Sequence, residues 1–168
     1  MQNSEALKVN LPSDLKIEMV RVFDAPRRLV FEAWTNPKHL PKWLLGPEGW
    51  SMTICEIDLR PGGAWHFGWR NTNGCEMEMH GVYKEVKPPE RLVSTEWWGD
   101  PWPETLNTLS LVEIGGKTTA TTTILYPSKE ARDAALKSGM KDGVAVSFNH
   151  LNDYLQTMEN SSNDGGRP

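Results

Sequence analysis

Cysteine is scarce in this chain of 168 residues. Cys55 and Cys75 are the two it has, too few for a disulfide framework. Basic runs are missing as well. The net charge is −4, and no stretch offers the cationic face that a phosphate backbone or an anionic membrane surface needs. That argues against nucleic acid and membrane as partners. No apolar run approaches the roughly 18–20 residues of a spanning helix. Residues 1–14 lack the charged and then apolar stretches of a secretory signal. The expected location is therefore cytoplasmic, with both thiols reduced. A Gly-rich phosphate loop, a zinc-ligand spacing and a Ser-His-Asp motif are also missing. No cofactor and no catalytic residue are assigned on that basis, and the reading leans away from an enzyme.

What the chain does have is indole and thioether. Eight Trp and seven Met supply large, adaptable apolar volume. They build either a tryptophan-rich core or an aromatic-lined cavity, and composition does not separate the two. The length suits one domain, which at this size buries roughly 70% of its unfolded surface.

The last apolar pattern organises the rest. Val144, Phe148, Leu151, Leu155 and Met158 recur at spacings of four and three, one stripe of a helix over residues 143–158. A lone helix of that length is marginal in water, so the stripe must pack on something. Most of the chain upstream reads as strand. A first strand covers residues 15–24. Pro26 then opens a helix whose buried face is Leu29, Val30, Ala33 and Trp34, and a short helix follows at residues 38–45. Strands are expected at residues 51–60, 64–70, 75–85, 91–98, 105–114 and 117–125. Ser128 caps a helix over residues 129–137, and Gly139 and Gly143 break it from the final one. Residues 1–14 read as a loose N-terminal arm, 15–159 as the domain and 160–168 as a disordered tail.

Register can be argued for the middle strands. Pro61-Gly62-Gly63 and Thr72-Asn73-Gly74 are three-residue loops ending in Gly, which suits the left-handed bulge position. That choice pairs Arg60 with Ala64 and Asn71 with Cys75. Trp65, Phe67 and Trp69 then share one face with Cys55, Ile57, Leu59, Met77 and Met79. The opposite face carries a row of Asp58, His66 and His80. These three could hold zinc or move a proton, but a polar face opposite the tryptophans belongs on the solvated side of a sheet. The pocket candidates are Trp65, Phe67, Trp69, Met77, Met79, Trp97, Trp102, Phe148 and Leu151. Trp102 is weighed as a lid residue against a rigid loop held by Pro101 and Pro103. Adjacent Trp97 and Trp98 point opposite ways, which leaves the inner face of residues 91–98 open. Glu96 becomes a titratable cavity group if its side faces in.

The segments Arg21-Val22-Phe23-Asp24-Ala25-Pro26, Ala33-Trp34-Thr35-Asn36-Pro37, Trp43 with Gly46-Pro47, and Asp58-Leu59-Arg60-Pro61-Gly62-Gly63-Ala64-Trp65 resemble a known family. So do Gly81-Val82-Tyr83, Pro88-Pro89-Glu90-Arg91-Leu92 and Gly116-Lys117-Thr118. Their order and spacing resemble the homologues of the activator of the heat-shock protein 90 ATPase, in the START-like superfamily. The resemblance implies an α+β helix-grip fold. A curved antiparallel sheet of about seven strands wraps a long C-terminal helix, and two short helices lie between strands one and two. It implies a hydrophobic small molecule as partner, since the wider superfamily mostly uses its cavity that way; some members catalyse cyclisation or dehydration there. It carries over no catalytic set. In the eukaryotic activator a separate N-terminal domain also engages the chaperone. That domain is absent here, so a chaperone-interacting module is the remoter implication. A homodimer is left open. Relatives often have a second Trp where this chain has Leu44, and Gly-Trp where it has Gly143-Val144. Both departures remove aromatic bulk at the expected cavity mouth.

Overall fold

The computed structural model describes residues 6–165; the outermost parts of the expected arm and tail lie outside them. In chain order the elements are β1 (Lys8–Asn10), β2 (Lys16–Phe23), α1 (Arg27–Thr35), α2 (Leu40–Trp43), β3 (Trp50–Ile57) and β4 (Ala64–Asn71). They continue with β5 (Glu76–Lys87), β6 (Arg91–Glu96), β7 (Thr105–Ile114), β8 (Lys117–Leu125), α3 (Lys129–Lys137) and α4 (Met140–Gly165). The strands form one open sheet in the order β1-β2-β8-β7-β6-β5-β4-β3, with every neighbour antiparallel. This is the helix-grip arrangement, with eight strands rather than about seven.

The extra strand comes from the stretch expected to be a loose arm. Lys8–Asn10 pairs with β2, Val9 opposite Met19. There it covers backbone groups of β2 that would otherwise form the sheet edge, and Val9 joins the small cluster around Ile17, Met19 and Ile124. The last helix is longer than its apolar stripe at both ends. Gly139, at φ +83°, makes the break alone. Gly143 lies in the first turns of α4. The helix runs to Gly165, into the residues expected to be a disordered tail, because no proline interrupts it before Pro168.

One aromatic knot holds α4 in place. Phe148 meets Phe23 at 5.6 Å between ring centroids and Trp34 at 5.3 Å, both edge to face, and Trp34 meets Trp43 at 5.3 Å. Such contacts contribute about 0.5–1.5 kcal/mol each beyond area burial. The Trp43 indole N–H also donates to the carbonyl of Ala33 at 2.9 Å, fixing α2 against α1. Beyond the knot, Leu151 and Leu155 are fully buried. The two early helices therefore clamp the C-terminal half of α4.

The β4–β5 register is as expected: Trp69 faces Met77, Phe67 faces Met79, and Trp65 faces Gly81. The β3–β4 register differs by two residues. Ile57, not Leu59, lies opposite Trp65, and Cys55 lies opposite Phe67. The connection is longer than three residues: the Gly63 N–H closes a turn on the Arg60 carbonyl, while the Gly62 N–H and the Gly63 carbonyl bond Tyr83 of β5. Leu59 leaves the sheet and is exposed. A bulge between Met52 and Ile54 brings Met52 and Trp50 back to the inner face.

Gly81 is where the sheet has no room for a side chain. A Cβ there would sit 2.3 Å from the Trp65 indole and 2.1 Å from the carbonyl of Thr95. Gly81→Ala is expected to cost about 1–3 kcal/mol by overpacking, read as a lower urea midpoint. Gly143→Ala, whose Cβ meets nothing within 4 Å, should be neutral or stabilising by up to about 1 kcal/mol.

Candidate ligand cavity

The sheet curls, and the first turns of α4 meet it on one side, where Met140 and Val144 pack on the cluster of Ile17, Met19 and Ile124. Between them lies a cavity of about 580 Å³, within the range that holds drug-sized ligands. Its roof is Met140, Gly143, Val144, Ser147 and Phe148 of α4, with Ala135, Ser138 and Gly139 from the end of α3. Its floor is the inner sheet face. Six indoles line it: Trp34, Trp43, Trp65, Trp69, Trp98 and Trp102.

The sequence-derived candidates divide cleanly. Trp65, Phe67, Trp69, Met77, Met79, Trp102 and Phe148 line the cavity. Trp97 and Leu151 do not. Trp97 bridges to His80 and points to the outer face, its indole N–H donating to the carbonyl of Trp102. Alternation along the strand sends Trp98 inward instead, where it stacks on Trp69 at 5.6 Å with the rings 16° apart. Leu151 sits one turn past Phe148, where the clamp of α1 and α2 has closed the gap; it is solid core. Trp34, Trp43, Trp98 and Tyr83 also line the wall but were not singled out. Trp98 was legible only as half of an ambiguous pair. Trp34 and Trp43 read as ordinary helix-face residues.

Glu96 faces inward. The Trp98 indole N–H donates to its Oε1 at 2.9 Å, and the Asn107 amide donates to its Oε2 at 2.7 Å. The Thr105 hydroxyl donates to Asn107 Oδ1 at 3.1 Å, which turns the amide nitrogen toward Glu96. Burial pushes the carboxyl above its ordinary value of 4.5, and the two hydrogen bonds offset only part of that. The side chain is half-buried and lines the cavity. The other titratable groups on the wall are phenols. Tyr126 is pushed up to about 12, first by burial and then by the charge of Glu96, and Tyr83 is raised further by burial. Both stay neutral at physiological pH. The Trp65 indole nitrogen is buried with no hydrogen-bond partner.

The imidazoles lie on the outer face, as the pattern requires. Asp58 is not among them; the two-residue shift of β3 replaces it with Glu56, opposite His66. Asp58 pairs with Arg60 instead. The His66 and His80 rings stack at 4.2 Å, and His66 Nε2 meets Glu78 at 2.5 Å. Among the described residues His66, Glu78 and His80 offer ligand atoms within 4.8 Å of one another. The cluster is open to solvent and already satisfied by its own bonds. On the far side of the fold, His39 Nδ1 meets the Tyr154 hydroxyl at 2.6 Å. Cys55 and Cys75 are free thiols. Burial pushes the Cys55 thiol up to about 11, which makes it a poor nucleophile.

The family model for Activator of Hsp90 ATPase homolog 1-like protein matches residues 24–156. Among solved structures, a crystal structure of a Rhodobacter sphaeroides protein is 30% identical over 91% of this chain and 99% of that one, with a TM-score of 0.87. A crystal structure of a Nitrosomonas europaea protein is 24% identical over 90% and 99%, with a TM-score of 0.78. A solution structure of an AHSA1-like protein from Aeromonas hydrophila is 18% identical over 83% and 94%, with a TM-score of 0.70. The last two share the fold alone. No curated protein matches. Among the described residues no helix is long and apolar enough to cross a membrane.

A carboxyl raised in the folded state binds its proton more tightly there than in the unfolded chain. Its stabilisation is full below the ordinary glutamate value and is lost as pH rises through the raised folded value. Urea midpoints of the wild type should therefore fall as pH climbs from about 4.5 toward neutrality, and those of Glu96→Gln should fall less. Parallel profiles for the two proteins would show that Glu96 is not desolvated.

Proposed function

The chain belongs to the Activator of Hsp90 ATPase homolog 1-like family, and from that premise we propose that it binds a hydrophobic, ring-bearing small molecule between its sheet and α4. The observation that carries this reading is the cavity itself. It is large, its wall is dominated by indole, thioether and aliphatic groups, and polar groups are few. Apolar concavities of this volume bind ligands by shape and by removal of hydrocarbon from water. The candidates Trp65, Phe67, Trp69, Met77 and Met79 supply the floor, Phe148 the roof, and Trp102 the rim. Trp102 is about 39% exposed and follows Pro101 in a loop that a ligand would cover or displace.

Glu96 favours a second reading, an enzyme of the cyclase or dehydratase type with this carboxyl as its acid–base group. A buried acid in an apolar pocket suits that chemistry. The binder reading rests on more of the wall, because the other titratable groups among the described lining residues, Tyr83 and Tyr126, have their phenols raised and stay neutral at physiological pH.

Saturable transfer of tryptophan excitation to pyrene, a neutral flat hydrocarbon, is the expected signature of the cavity. Gly143→Leu projects a side chain from the roof where nothing now lies within 4 Å. It should weaken pyrene by at least about tenfold, while Gly143→Ala binds as the wild type does. Absence of saturation, or unchanged binding in Gly143→Leu, would dismiss the reading. Native mass spectrometry of protein from its own host separates the two functions. A retained ligand of constant mass favours binding; loss of one water in the wild type but not in Glu96→Gln favours the enzyme.

A further inference from the structure

The cavity lacks a counter-charge. Glu96 is the carboxyl on its wall, and among the described lining residues there is no Lys, Arg or His. The two side chains that hold the carboxyl are both donors, Trp98 through its indole N–H and Asn107 through its amide. An ionised Glu96 is thus well served with hydrogen bonds but has no cation beside it. A protonated Glu96 has the reverse problem, an O–H with no acceptor offered by either partner. Each state is left one group short, and a positively charged donor supplied from outside completes the ionised one.

The surroundings suit such a donor. Trp98 stacks on Trp69, and Trp102 lines the same space. Indole faces attract cations through the ring quadrupole. The pairing of Tyr83 with Ser94 and the bridge of His80 with Trp97 put Gly81 opposite Glu96. The Trp65 indole lies against Gly81, so a further indole occupies the same cross-strand row as the carboxyl. A lone carboxyl among indoles repels anions for the same reasons.

We infer that the ligand of this cavity is a ring-bearing amine, held in its ammonium form by Glu96 with the indoles of Trp98 and its neighbours around it. The inference rests on the binder reading and specifies the head group. No covalent bond of the ligand is made or broken: the ammonium enters with its proton, and any proton on the carboxyl passes to solvent water.

Three probes with one ring system test it at neutral pH by isothermal titration calorimetry: 1-naphthylmethylamine, 1-naphthylmethanol and 1-naphthoate. The amine is expected to bind at least about tenfold more tightly than the alcohol, with naphthoate weakest. Glu96→Gln keeps the shape of the side chain and should bring the amine to within about threefold of the alcohol. Equal or tighter binding of the alcohol or naphthoate to the wild type overturns the ammonium assignment and leaves the binder reading standing. So does an amine preference that survives in Glu96→Gln. Failure of all three probes to bind the folded wild type overturns the binder reading, and this inference with it. Should Glu96→Gln fail to fold, the ranking on the wild type still tests the head group.

Discussion

The knot of Phe23, Trp34, Trp43 and Phe148 is the contact on which the rest of the molecule depends. It fixes α4 to the sheet and to both early helices at one level along its length. Past that level, Leu151 and Leu155 complete a solid core. Before it, Met140 and Val144 rest on the β2–β8 side of the sheet, and the space beside them stays open. A straight rod against a twisted, coiled sheet cannot touch it everywhere, so the cavity follows from where the rod is pinned. Phe148 is both the last residue of the roof and the first of the core.

The wall of that space is not uniformly apolar, and the exception is expensive. Glu96 lines this indole-rich wall, where burial raises its carboxyl above the ordinary value, an arrangement that disfavours the ionised form unless a partner is present. Asn107, Thr105 and Trp98 are arranged to receive the carboxyl rather than to neutralise it. Ionisable groups whose surroundings shift their titration are where function concentrates. On the outer face the reverse holds: His66, His80, Glu56 and Glu78 are solvated, satisfied by one another, and impose no such strain.

Most of the fold was legible because period and turn chemistry agree. The alternation Trp65, Phe67, Trp69 against Met77 and Met79, with Gly74 closing the turn, set the β4–β5 register residue for residue. The same pattern could not set the β3–β4 register. A shift of two residues keeps every side chain on its face, so alternation excludes odd slips and is blind to even ones. What decided the shift was the bonding of Gly62 and Gly63 to Tyr83, a contact about twenty residues away in sequence. That contact moved Asp58 out of the imidazole row and put Glu56 in. The early strand Lys8–Asn10 was invisible for a related reason: three residues show no periodicity, and only the open edge of β2 gives them a place.

From the sequence alone came the element order, the apolar stripe of the last helix and the sidedness of the central strands. Each is a property of residues near one another along the chain, where spacing fixes direction. The folded molecule decided what spacing cannot carry. It turned Trp98 inward and Trp97 outward, filled the space at Leu151 while leaving it empty at Gly143, and set Glu96 on one cavity wall with indoles drawn from α1, α2, β4 and the loop after β6. Burial depends on which distant segments arrive on each side, and a carboxyl acquires its chemistry from them.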